Sequence, residues 1–132
     1  MPERCSFDYA IVRVVPRVER GEFLNAGVIL FCSTEAFLGA RVELDRDRLA
    51  ALSPAADPVL IESHLAVIPQ ICRGGADAGP IGELPQRARF HWLVAPRSTV
   101  IQVSPVHVGV GSDLPAALDG LFEKLVRRPA LA

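Results

Sequence analysis

The stretch Phe7–Cys32, FDYAIVRVVPRVERGEFLNAGVILFC, decides the fold. Two runs rich in Val, Ile and aromatic residues flank the polar segment from Arg17 to Glu22, the pattern of a β-hairpin. Strand alternation puts Tyr9, Ile11, Arg13 and Val15 on one face of the first run, opposite Ala10, Val12 and Val14. In the second run it puts Phe23, Asn25, Gly27, Ile29 and Phe31 opposite Leu24, Ala26, Val28, Leu30 and Cys32. Both faces are apolar, so the hairpin is expected inside a sheet covered on at least one side. Arg13 and Asn25 are the exceptions. A register centred on Glu19 brings both side chains to one face, and a slip of one residue separates them. A buried arginine keeps its charge and needs a carboxylate or several acceptors; Glu19, Glu22 and the Asn25 carbonyl are the nearest in sequence.

Outward from the hairpin, 132 residues suit a single domain able to bury a core. Half the residues are hydrophobic and 22% are charged, a globular balance. Fourteen basic against fifteen acidic residues leave a net charge of −1, which argues against general binding to nucleic acid or acidic membranes. Lys124 is the sole lysine, so an anion site here would be built from guanidinium forks. The first ten residues, MPERCSFDYA, lack a secretory pattern, and the longest apolar run, 26–32, is far short of the ~20 residues that span a bilayer. Cys5, Cys32 and Cys72 are odd in number and form no C-x-x-C, as expected of reduced thiols in a cytoplasm. Their spacing from His64, His91 and His107 matches no metal-ligand pattern, so no metal is expected.

A short turn at Ser33–Glu35 leads to a third strand, 36–44, making a three-strand antiparallel meander. Asp45 can cap a helix over Arg46–Leu52, ended by Ser53-Pro54. Asp57 followed by Pro58 is the clearest helix start, and Leu60, Ile61, His64, Leu65, Ile68, Ile71 and Cys72 recur as one stripe. Pro69 is expected to kink or restart this helix, and Gly74 to stop it. Residues 73–85, RGGADAGPIGELP, read as a loop, a candidate lid or binding loop. They contain no phosphate-cradling glycine motif, and no cofactor is expected. A helix over Gln86–Ala95 should bury Phe90, Leu93 and Val94 and leave Trp92 on another face. A strand over Val100–Ser104 is interrupted by Pro105 and continues as an edge strand to Val110. The last helix, Leu114–Arg127, buries Leu114, Leu118, Leu121, Phe122 and Leu125. The fold class expected is α+β: a mainly antiparallel sheet, the meander plus one or two later strands, packed against three or four helices.

No acidic residue lies between Glu83 and Asp113, a window that holds Arg87, Arg89, Arg97, His91 and His107 with Ser98, Thr99 and Gln102. Forked arginines beside hydroxyls suit a phosphate or carboxylate. The structural alternative is that Arg89 and Arg97 pair with Glu19, Glu22 or Glu83. Ser98 is outside any G-x-S-x-G, a Ser98 or Thr99 nucleophile with His107 as base has only its residue types in favour, and Glu19 with Glu22 is a routine hairpin charge pair.

The runs DYAIVRVVPRVERGEFLNAGVILFC and AGPIGELPQRARFHWLVAPRSTVIQVSPVHVG resemble the bacterial domain-of-unknown-function 3037 family, over residues 9–126. The resemblance rests on Arg13, Pro16, Glu19, Arg20, Gly21, Glu22, Asn25 and Gly27 in the first run. In the second it rests on Gly79, Pro80, Leu84, Arg89, Phe90, Trp92, Leu93, Pro96, Arg97, Ser98, Thr99, Gln102, Pro105 and His107. It implies no mechanism. It implies a small accessory or antitoxin-like protein whose partner would be a kinase similar to the HipA toxins. The leading expectation is therefore a cytoplasmic, non-catalytic, partner-binding protein. The alternative is a small anionic-ligand site, binding or catalytic, from the cluster Arg13, Glu19, Glu22, Asn25, Arg89, Trp92, Arg97, Ser98, Thr99 and His107. Nucleic-acid binding is disfavoured, because no basic stripe is interleaved with aromatics.

Overall fold

The computed structural model describes residues 3–129. Strands β1 (Cys5–Val14) and β2 (Leu24–Cys32) pair antiparallel, joined by a turn with a short 3-10 segment at Val18–Arg20. The pairing runs from Asp8 opposite Phe31 to Val12 opposite Gly27, then shifts to Arg13 opposite Asn25 and Val14 opposite Leu24. Ala26 is the extra residue, a β-bulge that inverts the alternation of β2. Leu24 and Ala26 consequently join Ile29 and Phe31 on one side of the sheet, while Val28, Leu30 and Cys32 face the other. The uninterrupted alternation expected for this strand is corrected by that one inserted residue. Next to the turn the register is centred on Glu19, so Arg13 and Asn25 are direct partners on one face.

Strand β3 (Phe37–Val42) completes the meander against β2. The helices are α1 (Arg46–Leu52), α2 (Pro58–Arg73), α3 (Gln86–Val94) and α4 (Leu114–Leu125). Asp45, Asp57 and Asp113 cap α1, α2 and α4, each carboxylate accepting from first-turn amides. Helix α2 runs unbroken through Pro69. Its buried stripe is narrower than expected: Ile61, Leu65, Ile68, Ile71 and Cys72 are buried, whereas Leu60 and His64 are exposed.

Strands β4 (Ile101–Val103) and β5 (His107–Gly111) both pair with the side of β1 that β2 leaves open, β4 along Val12–Val14 and β5 along Cys5–Tyr9. Ser104 joins them. Its amide donates to the Ile11 carbonyl at 2.9 Å, and its buried hydroxyl accepts from the Ile11 amide at 2.8 Å. The hydroxyl thus takes the place of a backbone carbonyl beside Pro105. The result is an antiparallel sheet of five strands, an α+β fold, with β3 at one edge and β4–β5 at the other. Both sides are covered. Val12, Val14, Ile29 and Phe31 pack under α1, α2 and α3; Phe7, Val28, Leu30 and Cys32 pack under α4.

Candidate functional site

Helices α2 and α3 lean on the sheet beside its β4 edge and leave a cleft of about 460 Å³. His64, Val67, Ile68 and Ile71 of α2 form one wall, Trp92 and Leu93 of α3 another, and Arg97, Thr99, Val100, Ile101 and Val103 the floor and rim. Its lining is chiefly aliphatic and aromatic, the composition of a binding cleft. Two other grooves measure about 480 and 630 Å³; the first is lined mainly by charged residues, and the second mixes Arg17, Arg20 and Glu22 with alanines, prolines and Leu52. In the first of these, Arg46 pairs with Glu62 and Arg128 with Asp45, so its charges are already satisfied.

The α3 wall is fixed by two arginines that do unexpected work. Arg89 is 9% exposed and donates from Nη1 to the Ile71 and Cys72 carbonyls at 2.8 and 2.7 Å, and from Nε to the Leu84 carbonyl at 2.8 Å. It satisfies the open C-terminal end of α2. Residues 73–85 wrap this guanidinium: Gly74 lies against it at a φ of 75°, and the Gly75 amide closes onto the Gly82 carbonyl at 2.9 Å. The segment expected as a lid is a pair of 3-10 turns bonded to itself. Arg97 does the same for α3. It donates to the Trp92 and Leu93 carbonyls at 2.6 and 3.1 Å and lies 4.4 Å from the centre of the Trp92 ring. Neither arginine pairs with Glu19, Glu22 or Glu83, as one expectation had it; helix-end carbonyls take that role.

The expected site residues therefore divide among several places. Trp92, Arg97 and Thr99 line the cleft. Arg89 is buried at the C-terminal end of α2 and does not line the cleft. Arg13 and Asn25 face the opposite side of the sheet, where Asn25 donates to the Leu125 carbonyl of α4 at 3.0 Å. Glu19 and Glu22 stay in the hairpin turn, paired with Arg17 and Arg20. Ser98 is exposed, Thr99 donates to the Ile101 carbonyl, and the His107 ring lies 5.4 Å from that of Tyr9, across the sheet from the cleft. No hydroxyl–histidine pair forms from Ser98 or Thr99 with His107, and the arginines do not converge.

The ionisable groups are held in their ordinary roles. Backbone hydrogen bonding, with Arg17 beside it, lowers the pKa of Glu19; Arg128 lowers that of Asp45, and Arg46 that of Glu62. Burial pushes the Cys72 thiol up to about 12, which leaves it a packing group and not a nucleophile. Among the described residues no set of three or more His, Cys, Asp or Glu side chains is placed to hold a metal ion. None of the described helices is long and apolar enough to cross a membrane.

The sequence reading missed one feature beside the cleft. On β5, Val108 and Val110 are 68% and 54% exposed, and Val106 just before it is 43% exposed. Val108 opposes Asp8 and Val110 opposes Ser6, so these valines face the same side of the sheet as Ile101 and Val103, which oppose Val14 and Val12. The signal was present in V-H-V-G-V, an alternating run without charge.

Residues 9–126 match the family model described as "Protein of unknown function (DUF3037)". The chain belongs to this family. The match spans both the hairpin and the cleft. No curated protein and no solved structure matches it.

Proposed function

We propose that this member of the family is a partner-binding accessory protein of the bacterial cytoplasm that takes an extended segment of another protein along its β4–β5 edge. The observation that carries the reading is the open edge lying directly over the apolar cleft. An added strand gains main-chain hydrogen bonds from an unpaired edge, and pockets for its alternate side chains give selectivity. Here Ile101, Val103, Val108 and Val110 all face one side along that edge. A segment with apolar residues at every second position would therefore lay them in the cleft and over the valines. Trp92, 41% exposed on the cleft wall, supplies an aromatic anchor of the kind that dominates binding energy. A kinase of the HipA-like class is the partner that the family resemblance suggests, and free Cys5, Cys32 and Cys72 suit a reducing compartment.

The test is selection of random twelve-residue peptides on the immobilised protein, followed by binding to a Val108→Lys/Val110→Lys variant. Enriched peptides should alternate apolar with polar residues and lose affinity for the variant, whose circular dichroism stays native. Equal binding to both proteins would remove the edge from the account.

A further inference from the structure

On the other side of the sheet, away from the cleft, Arg13 of β1 is the direct partner of Asn25 on β2 and of Gln102 on β4. Direct partners in an antiparallel ladder project to the same face, so these three polar side chains form one row across β2, β1 and β4. The row lies beside the last turn of α4, to which Asn25 donates at Leu125. The Asn25 amide has spent one hydrogen there, and the Gln102 amide one on the Thr99 carbonyl at 2.9 Å. One amide hydrogen remains on each.

Arg13 between them is unlike the other arginines. Arg41, Arg48, Arg89 and Arg97, the other arginines that are buried or partly so, each reach a carboxylate or a backbone carbonyl. Among the described residues Arg13 reaches neither, and its Nε is fully buried without a partner. Its close contact is with the Phe23 ring, 4.3 Å from the guanidinium carbon to the ring centre. A partly buried cation that reaches no carboxylate or carbonyl costs stability, which the Phe23 ring offsets only in part, and leaves the guanidinium able to take an anionic partner. The two flanking residues are amides, which donate hydrogen bonds without neutralising the charge.

We propose that Arg13, Asn25 and Gln102 form a carboxylate-binding site, with the outer Nη edge of Arg13 meeting the two carboxylate oxygens and the amides donating from either side. A planar guanidinium fork matches a planar carboxylate bidentately. The Phe23 ring holds one face of the fork and limits its rotation. The site is on the opposite side of the sheet from the cleft, and it stands or falls independently of the edge-binding reading.

Thermal unfolding at constant ionic strength tests it, with chloride replaced stepwise by acetate, succinate or phosphate. The wild-type protein should show a saturable rise in Tm with acetate or succinate. Arg13→Met should unfold at the wild-type Tm or above it in chloride and show no carboxylate response; Arg13→Lys should respond weakly. The side-chain amide NMR signals of Asn25 and Gln102 should shift with acetate in the wild-type protein, a readout that needs no variant to fold. An unresponsive wild-type protein, a carboxylate response retained by Arg13→Met, or a response to phosphate alone would each overturn the assignment.

Discussion

The two edges of the sheet are made of opposite materials. At the β3 edge the chain is bound down by charge. Arg41 pairs with Asp119 of α4 at 3.0 Å, Glu43 pairs with Arg127 at 2.9 Å and Asp45 with Arg128 at 2.6 Å, so the end of α4 is laced to the margin of β3. At the β4–β5 edge no Asp, Glu, Lys or Arg occurs from Ser98 to Ser112, and the exposed large apolar side chains are Val106, Val108 and Val110. Proteins blunt free edges with charges, prolines and bulges, because an unpaired apolar strand recruits another strand. One edge here carries those protections. The other has Pro105 and little else, and the cleft lies under it. In the proposed function, this difference in chemistry is what makes β4–β5 the edge that a partner segment occupies.

The largest expected effect comes from removing the support of the cleft wall. Arg89→Met strands the buried Ile71 and Cys72 carbonyls, each costing about 1–3 kcal/mol, and frees the part-buried Leu84 carbonyl, so the variant should lose about 2 kcal/mol or more in urea unfolding. A loss below about 1 kcal/mol would show that α3 is held some other way. Next is the seating of β5 on β1. A Cβ at Gly109 would come within 2.5 Å of the buried Phe7 ring, and Gly109→Val should cost about 1–3 kcal/mol and loosen that edge. Faster amide exchange at His107–Gly111 in this variant, with β3 unchanged, would confirm that the edges are separately held.

Effects at the charged edge should be smaller. Arg41 and Asp119 are solvent-accessible, so Arg41→Ala should cost no more than about 1 kcal/mol, part of it from its contact with the Phe122 ring at 4.1 Å. A much larger loss would mean that charge supports this edge and does not merely protect it. The smallest effect expected is in pH dependence. The Arg128 guanidinium holds Asp45 below its ordinary 3.8, so this pair stabilises the fold above that value and the contribution fades as pH falls through the lowered pKa. Asp45→Asn keeps a capping side chain but loses the charge, and its Tm should fall less steeply below pH 3.8 than that of the wild-type protein.

The meander, the α+β class and all four helices were legible because hydrophobic period and capping residues are local signals. Asp45 and Asp57-Pro58 announce their helices without reference to anything distant. The bulge at Ala26 was not legible: alanine fits either face, and only the pairing with β1 shows that it is inserted. Nor were the roles of Arg89 and Arg97. A run of arginines without acids looks like an anion site, yet backbone carbonyls at a helix end serve a guanidinium as well as a carboxylate does, and they carry no residue type for a reader of sequence to see. The segment 73–85 misled for a related reason. Its glycines permit close backbone approach around Arg89, and a Cβ at Gly82 would fall 2.2 Å from the Gly75 carbonyl. Composition alone cannot separate that packing from mobility.

The most direct test of the account is amide hydrogen exchange with and without the tightest peptide from the selection. Protection should rise along Ile101–Val103 and His107–Gly111 and stay unchanged along Phe37–Val42. Protection that rises at β3, or only on α2 and α3 with the β4–β5 amides unaffected, would contradict strand addition at this edge.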